Sequence, residues 1–108
     1  MSRPYSTLLG HVTREVSGDV VLYECQPGLR TIVRDLLLHN RTTSEAQFTV
    51  YYSSGGADYL LSEVKVAQFA PYHLELRQVL PPDGIIHCFC AAAAWTCLIT
   101  GYELAEVA

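Results

Sequence analysis

Cys88 and Cys90 stand two residues apart, with Cys97 shortly after them and Cys25 far upstream. Four thiolates make a complete tetrahedral zinc set, but structural zinc sites usually draw their paired ligands from tight knuckles with roughly two to four intervening residues. A Cys-x-Cys pair on a strand instead sends both side chains to one face. Ile86, Phe89 and the run Ala91 to Ala94 surround these thiols with apolar neighbours, and unpaired cysteine packs as a small hydrophobe. The cysteines are therefore expected to be core, with no metal and no other cofactor.

The same stretch, "HLELRQVLPPDGIIHCFC", offers His73 and Glu75 on one strand face. Such a pair could set a base beside an acid, yet on a charged outer face it is expected to be solvated. His11, His39, His73 and His87 fall in four separate segments without a zinc-protease spacing. No Gly-x-Ser-x-Gly elbow, phosphate-cradling loop or dinucleotide fingerprint occurs. No catalytic residue is assigned, and the chain is expected not to be an enzyme.

Tyr51, Tyr52 and Tyr59 flank the loop "SSGGAD" and form a candidate binding rim. Exposed tyrosine rings there could stack on a glycan or a receptor protein, because tyrosine adds rigid contact area at low entropic cost. The competing reading places at least Tyr52 in the core.

The elements that must carry these side chains follow from composition and period. One hundred and eight residues suffice for one domain with a single two-layer core, with residues 1–18 allowed for as an N-terminal arm. Half of the residues are hydrophobic, 17% are charged and the formal net charge is −4, a balance that argues for a folded domain and against nucleic acid. Arginine and tyrosine outnumber Lys65, the one lysine, as they do in assembling interfaces. The opening segment has no apolar run long enough for a signal peptide or membrane span. Synthesis in the cytoplasm, no membrane partner and free thiols are the expectation. Asn40-Arg41-Thr42 matches a glycosylation acceptor and is then coincidental.

Period-two alternation runs through nearly every segment and is punctuated by turn residues every ten residues or so, the spacing of an all-β sandwich or barrel. Eight strands are expected near 5–13, 19–25, 30–39, 46–52, 58–66, 72–80, 85–91 and 95–104. Pro27-Gly28 suits a type II turn, and Pro82, Asp83 and Gly84 make a second reversal in which Gly84 is expected at positive φ. Ala91 to Ala94 is too short to stand as a helix.

Two segments depart from simple alternation. Leu36, Leu37 and Leu38 cannot all face one core, so Leu37, together with His39 on its side of the strand, is a candidate interface. In "GIIHCFCAAAAWTCLIT" both parities are apolar. A neighbouring subunit could cover the second face, or an edge loop or a bulge that shifts the phase could do so.

Leu22, Tyr23, Pro27 and Gly28, a strand ending at Asn40, then Leu80, Pro82, Asp83 and Gly84, and a close at Gly101, Tyr102 and Glu103 resemble a group of small virion proteins of tailed bacteriophages and prophages. The resemblance spans about residues 19 to 104. This chain has proline, aspartate, glycine where that group has proline, glycine, aspartate, and its last hairpin is unusually rich in cysteine. The resemblance implies a single antiparallel β-sandwich, jelly-roll-like, of about eight strands. It implies a structural virion component for capsid decoration, head-tail connection or a tail accessory role, with homo-oligomeric contacts and other virion proteins as partners. The alternative expectation is a carbohydrate- or receptor-binding module of a tail fibre or tail tip.

Overall fold

Alternating apolar side chains turn one face of each strand inward, and two sheets bury those faces against each other. The structure, a computed structural model, describes residues 7–105. Its strands are β1 (Thr7–Arg14), β2 (Gly18–Glu24), β3 (Leu29–Asn40), β4 (Ala46–Ser54), β5 (Ala57–Val66), β6 (Pro71–Leu80), β7 (Ile85–Cys90) and β8 (Trp95–Ala105). No helix occurs among the described residues, and Ala91 to Ala94 form the β7–β8 loop. Of the segment allowed for as an arm, residues 7–14 form β1, and residues 1–6 lie outside the described residues.

Strand order is β1-β8-β3-β6 in one sheet and β2-β7-β4-β5 in the other, with all pairings antiparallel. The pairs β4·β5, β3·β6, β2·β7 and β1·β8 form one long ribbon closed by the β4–β5 hairpin. Rolling that ribbon up brings β3 beside β8 and β4 beside β7, which is a jelly roll. The expected sandwich is thus present, and its class is all-β.

Val20, Leu22, Phe48, Val50, Ile86, Cys88 and Cys90 enter the core from one sheet, and Val33, Leu36, Leu38, Leu80, Trp95, Cys97 and Ile99 enter it from the other. Phe48 and Trp95 meet edge to face at 5.9 Å across the layers, a favoured aromatic geometry. The Trp95 indole N–H donates to the Val16 carbonyl at 3.1 Å, so the ring is buried without an orphaned donor.

β3 keeps both of its halves in the core by changing phase. Thr31 and Val33 point inward, and so do Leu36, Leu38 and Asn40, which have the opposite parity. Arg34 is the extra residue against β8, where Val33 pairs Gly101 and Asp35 pairs Thr100. Glycine is required at 101, because a Cβ there would overlap the Ile32 carbonyl oxygen and lie 3.0 Å from Val33 Cα.

The turns follow their expected chemistry with one correction. The Leu29 N–H donates to the Gln26 carbonyl at 3.2 Å, and Gly28 has φ +83°, as a type II turn with Pro27 at its first corner requires. In the second reversal the Gly84 N–H donates to the Pro81 carbonyl at 2.9 Å. Asp83, not Gly84, holds the positive φ, at 70°. The reason is long-range pairing: the Asp83 N–H donates to the Cys25 carbonyl and the Cys25 N–H donates to the Gly84 carbonyl, which sets the corner one residue earlier. "SSGGAD" is a tight hairpin, with Ser54 paired to Ala57 around Gly55 and Gly56. Both glycines have positive φ, the pattern of a type I′ turn.

Candidate functional site

On the outer face of the β2-β7-β4-β5 sheet, Val21 pairs His87, His87 pairs Tyr51, and Tyr51 pairs Leu60. These four side chains form one row across all four strands. Val21 and Leu60 at its ends are each 56% exposed, and Phe89 in the next row is 42% exposed. Apolar residues thus occupy the sheet face that the domain's own core does not use.

The centre of the row is polar and well connected. His87 Nδ1 lies 3.0 Å from both Asp19 carboxylate oxygens, and its Nε2 lies 2.8 Å from Ser53 Oγ. Ser53 in turn donates to Asp58 across the β4–β5 hairpin, and the Tyr51 ring stacks on the imidazole at 5.1 Å and 19°. The imidazole is largely covered, with a side-chain exposure of 14%.

Aspartate, histidine and serine in this order share the connectivity of a hydrolase triad. Their hydrogen placement differs from a triad's. An activated serine must offer its hydrogen to the imidazole, whereas Ser53 gives its hydrogen to Asp58. The imidazole thus ties Asp19 on β2 to Ser53 on β4, and Ser53 extends the chain to Asp58 on β5, so one network links four strands. Sequence reading passes over Asp19, Ser53 and Asp58, because nothing local marks them. Only the strand order brings them around His87.

The tyrosine rim divides between two faces. Tyr51 lies against His87 on the outer face, while Tyr52 turns inward and stacks on Tyr59 at 5.7 Å. Tyr52 packs against the core, and Tyr59 on the edge strand is 54% exposed.

Leu37 and His39 lie on the outer face of the opposite sheet. Leu37 is 37% exposed between two fully buried leucines. It pairs Leu98 and His73, and Leu98 pairs His11, so a second row runs His11, Leu98, Leu37, His73 across that sheet. His73 sits 2.7 Å from Asp35 on β3, so its carboxylate neighbour in space is Asp35. Glu75 lies instead 3.7 Å from Arg77.

All four cysteines are free and buried. A hydrogen bond with Cys97 and then burial push the Cys88 thiol far above the ordinary thiol range, and burial raises Cys90 as well. Such thiols are poor nucleophiles and poor metal ligands, since both roles need the thiolate. Among the described residues no group of three or more His, Cys, Asp or Glu side chains is placed to hold a metal.

The residues that carry the virion-protein resemblance gather into structural devices. Pro27-Gly28 and Pro82-Asp83-Gly84 form turns at the same end of the sandwich, and the second is hydrogen-bonded to Cys25. Tyr23 bonds Glu103 nearby. At the other end the buried Asn40 amide donates to the carbonyls of Ser44, Val66 and Ala67 and accepts from the Thr42 amide and hydroxyl.

No protein-family model matches the chain, and no curated protein matches it in sequence. Solved structures match its fold. The crystal structure of PirA aligns with TM-score 0.56 and 15% identity over 94% of this chain and 97% of that one. A chain in the structure of infectious bursal disease virus, Gx strain, aligns with TM-score 0.55 and 8% identity over 94% of this chain and 31% of its own length. This chain spans about a third of that virus chain. At these identities the likeness is one of fold alone.

Proposed function

We propose that the chain is a non-enzymatic structural protein of a virion, of the tailed-bacteriophage or prophage type, that works by occupying a repeated site through contacts with copies of itself and with other virion proteins. The observation that carries this reading is the Val21, His87, Tyr51, Leu60 row with Phe89 beside it. It is a sheet face outside the core whose exposed apolar side chains, Val21, Leu60 and Phe89, flank a hydrogen-bonded polar centre. Uncovered apolar faces of this kind are what subunits bury against neighbours. The sequence resemblance supplies the phage assignment, and the fold shared with a virus chain supports the structural role. Within the particle, capsid decoration, head-tail connection and tail accessory positions all fit such a subunit.

The test is mass spectrometry of purified particles produced from the genome that encodes the chain, joined to light scattering of the purified protein. A fixed copy number in the particle and a defined oligomer in solution are expected. A monomer that is absent from particles and binds glycans on an array would overturn the proposal in favour of a receptor-binding module.

A further inference from the structure

On the outer face of the β1-β8-β3-β6 sheet, Ile32, Arg34, Arg77, Val79 and Tyr102 line a shallow hollow of about 340 Å3. Two strand irregularities meet beside it. Arg34 is the extra residue of β3 against β8. Opposite it on β6, Leu76 and Arg77 together fill the space between the Gln78–Val33 and Glu75–Asp35 pairs. Bulges re-aim side chains and are enriched beside functional sites. Here they bring two guanidinium groups from neighbouring strands to one hollow.

Among the described residues the charge at that hollow is largely uncompensated. Arg34 forms no ion pair among the described residues. Arg77 has Glu75 at 3.7 Å, with both side chains mostly in solvent, where such a pair is weak. Two cations at one hollow repel each other while it is empty, and an oxyanion between them turns that repulsion into attraction. Planar guanidinium forks match a carboxylate's two oxygens. Ile32 pairs both Val79 and Tyr102, so an apolar wall and a phenol adjoin the charges.

We propose that this hollow binds a carboxylate on an aliphatic stem, supplied by an acidic side chain of a peptide segment of a partner protein. The edge of the sheet favours a peptide over a free acid. Among the described residues β6 pairs only with β3, which leaves its outer edge available to an added strand, and a peptide laid along it passes beside Arg77 and Val79. The hollow is separate from the Val21 to Leu60 row on the opposite sheet, and its occupancy does not depend on whether that row mediates assembly.

The test is an NMR titration of the nitrogen-15-labelled protein, following the arginine Nε–H signals and the backbone amides. The probes are acetyl-Leu-Glu-Leu-amide, its Gln counterpart, acetate and inorganic phosphate. The Glu peptide is expected to shift Arg34, Arg77 and Tyr102, and the Gln peptide to bind about tenfold more weakly or worse. Arg34→Gln should weaken binding by a similar factor with an unchanged circular dichroism spectrum, and Arg34→Lys should recover only part of it, since it keeps the charge without the fork. If Arg34→Gln does not fold, Arg77→Gln on the exposed edge strand carries the same test. Shifts that survive both substitutions, equal shifts from the Gln peptide, or acetate or phosphate binding as tightly as the Glu peptide would overturn the proposal.

Discussion

The Tyr23 hydroxyl donates to the Glu103 carboxylate at 2.5 Å and stands 2.7 Å from Thr31 Oγ1, so one phenol on β2 ties its sheet to β8 and β3 of the other. Burial, followed by the hydrogen bond to Glu103, pushes its pKa up to about 12 from 10.0.

A stability change in alkali follows from that shift. Below pH 10 the phenol is protonated in both folded and unfolded chains, and its contribution is fully present. Between pH 10 and about 12 only the unfolded chain loses the proton, so stability falls across that window. Melting temperature measured from pH 9 to 12 should drop more steeply in the native protein than in Tyr23→Phe.

Asn40 should be among the least replaceable polar residues. Asn40→Ala strips partners from the Thr42 amide and from the Ser44, Val66 and Ala67 carbonyls, and buried groups left unpaired cost about 1–3 kcal/mol each. A loss of at least about 3 kcal/mol in urea unfolding is expected. A loss below about 1 kcal/mol would mean that water replaces the amide.

Turn substitutions should separate by sign. Gly28→Val places a β-branched residue at φ +83° and should cost about 1–3 kcal/mol. Asp83→Gly relieves a left-handed non-glycine residue and should be neutral to stabilising by up to about 1 kcal/mol. Thermal melts of the two variants check both directions.

Leu37→Asp should leave the monomer folded by circular dichroism, because the side chain already points away from the core. If its row is covered in an assembly, burying the leucine is worth about 1.5–3 kcal/mol per contact, and light scattering should show weakened self-association. Val21→Asp makes the same test on the opposite sheet. The variant that dissociates identifies the face used.

Ser53 should resist a fluorophosphonate. Its hydrogen is committed to Asp58, so His87 does not activate it. An adduct on Ser53 found by mass spectrometry would restore the hydrolase reading and remove the non-enzymatic one.

The strands, the type II turn at Pro27-Gly28 and the inward faces were legible because period-two alternation and turn chemistry are properties of short segments. Phe48 and Val50 face the core for the same reason that Gln47 does not. The phase change at Arg34 was not legible, since a bulge exists only relative to a partner strand, here β8 with glycine at 101. The same holds at Pro82-Asp83-Gly84. Both Asp and Gly tolerate positive φ, and the hydrogen bonds to Cys25 decided which one takes it. His87 shows the limit most plainly. Its own strand marks it as outward-facing, but Asp19, Ser53 and Tyr51 reach it only through the β2-β7-β4 order. That order is selected by the summed burial of two whole faces, which no single segment encodes.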